Sequence, residues 1–161
     1  MEVAMNATRN DLPQATREQM VALLNRHLAD LTDLYTQTKH AHWNVRGAQF
    51  AALHKLYDEL AEALEDYIDE VAERAVQLGG EARGTVRMAA AASRLPEYPD
   101  GHYEGLASVA ALADRYAAAA KHVRADVDVA TQAGDHDTAD LLIEVSRGLD
   151  KWLWFLEAHL R

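Results

Sequence analysis

The chain has 161 residues, 49% apolar and 26% charged, with a net charge of −10 and no cysteine. That is the size of a single domain spanning residues 1–161, with room for a buried core; the acidic balance speaks against a nucleic-acid binder and for solubility or cation attraction. The missing cysteines exclude a disulfide framework or thiolate site and fit a reducing cytosol, no basic region followed by an apolar run marks a secretory signal, and no stretch approaches the roughly 18 apolar residues of a membrane span.

Residues 1–15 read as a polar leader with Pro13 near its end. Thr16 and Gln19 have the spacing of a capping box, which predicts a first helix over 17–44. Its apolar face is Met20, Leu23, Leu24, His27, Leu28, Leu31, Leu34, Tyr35 and Thr38, with His42 and Trp43 in the last turn. Gly47 is expected to end it, and the short turn makes the next helix antiparallel. The second helix is predicted over 49–78, with Leu53, Leu56, Tyr57, Leu60, Leu64, Tyr67, Ile68, Val71, Ala75 and Leu78 in steps of three and four, stopping at Gly79 and Gly80.

A long connection follows, with an alanine-rich segment at 86–93 that reads as a short helix. A connection of that length can cross a bundle, so the third long helix, predicted over 104–133, can run parallel to the second. Its apolar positions are Leu106, Val109, Leu112, Tyr116, Ala120, Val123 and Val127, and Gly134 ends it. Residues 135–137 form a tight turn, and a last helix runs from 138 to the C-terminus. The class is all-α: four long helices and one long crossover, the arrangement of ferritin-like bundles.

The second helix also carries polar residues in register. His54 and Asp58 are four apart and share a face, and Asp69 and Glu73 repeat the spacing. Imidazole and carboxylate on one stripe suit a hard or borderline metal such as iron. But His54 and Asp69 lie about 22 Å apart along a helix rising 1.5 Å per residue, too far for one small metal site. Either the pairs are separate half-sites, or two copies meet antiparallel across a two-fold axis and make two identical sites. No Glu-x-x-His motif occurs, which argues against a di-metal centre inside one bundle. Zincin, hydrolase, P-loop and Rossmann motifs are also absent.

The wording around these residues is specific. K-H-A-H-W-N-V-R-G-A-Q-F, then H-x-x-x-D, then D-x-x-x-E-R-A-V-Q-L-G-G, with L-A-D-R-Y, D-T-A-D and S-R-G-L-D-K-W-L-W-F-L-E-A-H further on, resembles the Dps family (DNA-binding protein from starved cells, or mini-ferritins) from about residue 9 to the end. The resemblance implies a hollow dodecamer built from two-fold dimers, with a ferroxidase site between subunits: His42, His54 and Asp58 from one chain, Asp69 and Glu73 from its partner. It implies iron as the metal, with other divalent metals able to occupy the site, and oxidation of Fe(II), preferably by hydrogen peroxide, with ferric oxide stored inside. Removing both reagents protects DNA and the cell from oxidative damage. Trp43, beside His42, is implied to take up oxidising equivalents, against a plain reading as a packed interface aromatic. Asp135, Asp140 and Glu144 are implied to line a three-fold pore, with Asp137 as a competitor; an Asp near a helix N-terminus is equally a capping device. Glu62, Glu65, Asp66 and Glu70 are candidates for nucleating mineral or are simply solvated acids. His40 is expected beside the site or on the surface, and His27, His102, His122, His136 and His159 receive no role.

The expected location is the cytoplasm, with association to the nucleoid as a variant of it. DNA affinity comes largely from Lys and Arg on phosphates. The leader has Arg9 and no lysine against Glu2 and Asp11, and no tail is expected beyond Arg161. Twelve chains at −10 carry about −120, so direct DNA binding is expected to be weak or absent unless divalent cations bridge it. The alternative is a nucleoid protein that protects DNA by physical association, detectable as salt-dependent gel retardation. A third reading is a structural helical dimer with a solvated acidic stripe.

Overall fold

A computed structural model describes residues 5–161, so the first four leader residues lie outside the described part. The elements are α1 (Gln14–Asn44), α2 (Phe50–Gln77), the short α3 (Val86–Ala92), α4 (Gly105–Gln132) and α5 (His136–Glu157), with no strand among the described residues. None of these helices is long and apolar enough to cross a membrane.

The helix ends correct the sequence reading at three points. α1 starts three residues early, on Pro13, whose φ of −53° already suits a helix and whose carbonyl takes the first helical bond from Arg17 N at 3.0 Å. The Thr16 and Gln19 box does not form; the Thr16 hydroxyl donates to Ala133 O at 3.4 Å instead. α1 stops at Asn44 because Val45 turns extended, and Gly47 (φ 104°) serves the turn rather than the cap. α5 starts at His136, two residues early, because buried Asp135 caps it by accepting from Thr138 N.

Two polar stitches set the topology. At one pole Arg46 makes a parallel bridge with Glu104: Arg46 N donates to Tyr103 O and Gly105 N to Arg46 O, both at 3.0 Å. α2 and α4 therefore start at the same end and run parallel, as the crossover length predicts. At the other pole the Arg74 guanidinium bonds Asp135 Oδ1 at 2.8 Å and Thr138 Oγ1 at 3.0 Å, tying the end of α2 to the start of α5.

The predicted apolar faces of α1 and α2 make the core, in which Met20, Leu23, Leu24, Leu28, Leu31, Leu34, Leu53, Leu60 and Leu64 are fully covered. Each such side chain contributes about 1.5–3 kcal/mol. Leu106 is the exception on α4 and is 46% exposed. Tyr57 and Tyr116 are buried too, and their hydroxyls meet Ser108 Oγ at 2.7 Å and Thr38 Oγ1 at 3.1 Å. Burial pushes the Tyr57 phenol up to about 12 and raises Tyr116 further.

His27 and His122, without a role in the sequence, hold the bundle together. His27 is fully buried with Nε2 2.7 Å from Asp126 Oδ2. His122 Nδ1 lies 3.0 Å from the buried Asp30, whose carboxylate also accepts from Arg94 N, Nε and Nη2 at 2.7–3.0 Å. Asp30 thus joins α1, α4 and the crossover. Gly148 on α5 is needed for packing: a Cβ there would run into the Tyr67 phenol of α2.

Candidate metal centre

The turn between α1 and α2 brings His42 and His54 face to face, with ring centroids 3.8 Å apart and planes at 22°. His42 Nδ1 donates to the backbone oxygen of His54 at 2.7 Å, and His54 Nδ1 donates to that of His42 at 2.9 Å. A carbonyl can only accept, so both Nδ1 atoms carry the proton. In the neutral rings both Nε2 atoms are then left as lone-pair donors, oriented by the backbone.

Asp58, one turn beyond His54, places Oδ1 3.9 Å from His42 Nε2 and 2.7 Å from Lys39 Nζ. The Lys39 hydrogen bond chiefly, then the charges of Lys39, His42 and His54, hold its carboxyl below the ordinary carboxylate value. Further along, the Tyr35 hydroxyl donates to Glu65 Oε1 at 2.7 Å, which raises the phenol pKa. The three contacts form a ladder: His42 with His54, Lys39 with Asp58, Tyr35 with Glu65. The sequence reading missed Lys39 and the polar role of Tyr35, although Tyr35, Lys39 and His42 are spaced four and three on one stripe of α1.

Asp69 and Glu73 are both exposed, about one and two turns beyond Glu65. Asp69 borders a cavity of about 330 Å³ with Thr32, Tyr35, Glu65 and Ile68. Glu73 borders one of about 480 Å³ with Ala72, Val76 and Ala82. The structure therefore assembles His42, His54 and Asp58 in one place and Asp69 with Glu73 in another. Among the described residues no three His, Asp or Glu side chains of one chain converge closely enough to hold an ion. Apolar side chains flank both half-sites on the solvent side: Phe50 beside His54 is 47% exposed and Val76 beside Glu73 is 54% exposed.

Trp43 is 69% exposed and lines a cavity with His40 and Tyr98, on the other side of α1 from the His42 ring. His40 packs edge-on against Tyr98 and Tyr103 and faces away from the ladder. Of the pore candidates, Asp135 is buried against Arg74 and Thr138 and so is not available to line a channel. Asp137, Asp140 and Glu144 are exposed along the start of α5. Glu62, Glu65, Asp66 and Glu70 are exposed as well; partial burial, then Glu144, Asp66 and Asp69, raise the Glu70 pKa.

Comparison with known proteins places this geometry. The ferritin-like domain family matches residues 21–161. A DNA protection during starvation protein from Agrobacterium fabrum is 42% identical over 154 residues, covering 96% of this chain and 95% of that protein. Among solved structures, DpsA14 from Streptomyces coelicolor superposes with a TM-score of 0.94 at 33% identity, covering 100% of this chain and 95% of its own. The DPS protein from Vibrio cholerae O1, described as a member of a broad superfamily of ferritin-like diiron-carboxylate proteins, gives 0.90 at 28% identity, covering 98% and 99%.

Proposed function

The chain belongs to the ferritin-like family, within its Dps branch, and on that premise we propose that it stores iron and acts as a ferroxidase at sites completed by a second copy. The observation that carries the reading is the oriented His42 and His54 pair with Asp58 on one part of the α2 stripe and Asp69 with Glu73 on another. Both halves have the same four-residue spacing, so a single antiparallel register sets Asp58 opposite Asp69 and His54 opposite Glu73 of a second copy. The exposed Phe50 and Val76, with the half-buried Ile68 and Ala72, supply an apolar border for that contact. Two imidazole nitrogens and three carboxylates suit ferrous iron, and the carboxylates favour the more highly charged ferric product.

Fe(II) is substrate here. It enters along the exposed Asp137, Asp140 and Glu144 edge of α5, at three-fold contacts of a dodecamer. At the site each Fe(II) gives up one electron, and hydrogen peroxide takes two with two protons to become two waters. Ferric oxide collects inside the shell against Glu62, Glu65, Asp66 and Glu70. DNA is protected because the two reagents of radical chemistry are consumed, in the cytoplasm and without tight DNA binding.

The test mixes anaerobic Fe(II) with apo-protein, adds hydrogen peroxide and follows ferric absorbance beside a His54→Ala, Asp58→Ala double variant. Fast oxidation that the variant loses supports the reading. Equal rates in both proteins would remove the stripe from the chemistry.

A further inference from the structure

On the outer side of α1, away from the ladder, α1 and the crossover enclose a cavity of about 450 Å³ lined by Ala22, Asn25, Arg26, Arg83, Arg87, Met88, Ala91 and Ala92. Its wall is split by chemistry. Ala22, Met88, Ala91 and Ala92 give it an apolar lining, and Arg26, Arg83 and Arg87 are its cationic residues. In a chain of net charge −10, that convergence of cations is unusual.

The guanidiniums are also only loosely engaged. Those of Arg17, Arg46, Arg74, Arg94, Arg115 and Arg124 each donate hydrogen bonds to a carbonyl, hydroxyl or carboxylate. Those of Arg26, Arg83 and Arg87 donate none among the described residues, as is also true of Arg9, Arg147 and Arg161, which do not line this cavity. Arg26 stands 3.8 Å from Asp126 and Arg83 3.7 Å from Glu81, both beyond hydrogen-bond distance, and their side chains are 47% and 43% exposed. Asn25 fixes the place: its amide donates to Val21 O and Glu81 O and accepts from Arg83 N, pinning the segment before α3 to α1. This lining is thus anchored by backbone, while the Arg26 and Arg83 forks make only ion pairs longer than a hydrogen bond.

We propose that this cavity binds a phosphate ester with a flat or apolar body, the oxyanion held by Arg26, Arg83 and Arg87 and the body laid on Met88 and the alanines. Planar guanidiniums pair with phosphate oxygens two at a time, and the methionine thioether is a good partner for an aromatic ring. The volume is that of a small-molecule pocket. A free nucleotide and the phosphate backbone of DNA present the same chemistry, and the experiment separates them. The proposal stands independently of the ferroxidase reading.

The assembled full-length protein is titrated with AMP by calorimetry and with fluorescein-labelled duplex DNA by anisotropy, at low and high salt. Binding of either ligand should fall at least about tenfold in an Arg26→Ala, Arg87→Ala double variant and weaken as salt rises. Glu81→Gln, which removes the carboxylate nearest Arg83, should tighten it, and Arg124→Ala on the far side of α4 should leave it unchanged. AMP binding that follows this pattern supports the proposal, and DNA binding without AMP binding overturns it, because a duplex keeps its bases stacked and leaves the apolar lining empty. No binding of either probe by the wild type, or equal binding by the double variant, overturns the proposal. The substituted side chains are exposed, and circular dichroism with assembly size confirms that each variant is folded.

Discussion

Lys39 and Asp58 are bonded to each other across α1 and α2, the ammonium 2.7 Å from Oδ1. The carboxylate we propose as a metal ligand is thus already held by a cation of the same chain. An incoming ion must displace that ammonium and tolerate its charge nearby. Lys39→Met keeps the length of the side chain and removes the competitor. Its affinity for Co(II) or anaerobic Fe(II), measured by calorimetry, should rise about tenfold at neutral pH. An unchanged affinity would show that Lys39 leaves Asp58 without cost.

Asp30 is the joint between α1, α4 and the crossover. Asp30→Ala leaves Arg94 and His122 facing a buried gap, which should cost about 3–5 kcal/mol in chemical unfolding. Hydrogen exchange should quicken first in residues 86–97, because Arg94 no longer fastens that segment. Uniform exchange across the molecule would contradict this role.

Asp126 gives the acid limit of stability. Its carboxyl is held below the ordinary value of 3.8, chiefly by the His27 hydrogen bond and further by His27, Arg26 and Arg94, against its partial burial. A depressed folded value means the native state binds fewer protons than the unfolded chain there. The contribution is present above the ordinary value and lost as pH falls through the folded one. Asp126→Asn should lose about 1–3 kcal/mol at pH 7 and show a flatter fall in urea midpoint below pH 4 than the wild type. Parallel acid curves would assign the fall to other groups.

Gly148 offers a prediction with an unusual sign. Glycine to alanine inside a helix ordinarily stabilises by about 0.5–1 kcal/mol. Here the added methyl meets the Tyr67 phenol, so Gly148→Ala should destabilise by about 1–3 kcal/mol. Tyr67→Leu in the same chain should restore most of the loss in thermal unfolding. A stabilised single variant would mean that α2 and α5 slide apart freely.

Helix type and order were legible because apolar residues recur at three and four along α1, α2 and α4 over many turns. Boundaries were less so: at the start of α1 a proline with a preset φ outweighed a well-spaced Thr16 and Gln19 box. The stripe of His54, Asp58, Asp69 and Glu73 follows from spacing alone, whereas the Lys39 to Asp58 contact depends on how two helices are rotated against each other. For Asp135 the two readings offered by the sequence, pore and cap, could not be separated for a related reason. A capping aspartate and a channel aspartate look alike in sequence, and the difference is Arg74, sixty-one residues away. His27 and His122 needed Asp126 and Asp30 beside them before their roles could be read.

His42, His54, Asp58, Asp69 and Glu73 all stand on one helical hairpin, α1 with α2, while α4 and α5 contribute none of them. The molecule is therefore divided between a hairpin that carries the proposed ligands and a hairpin that backs it. Change can accumulate on the exposed side of α4 and α5, altering how copies meet or what enters between them, without disturbing the donor set. Conversely, a single slip of α2 by one residue would rotate His54, Asp58, Asp69 and Glu73 off their stripe together and leave His42, on α1, behind. On the proposed reading the donor set is inherited as one hairpin, and the surface around it is free to diversify.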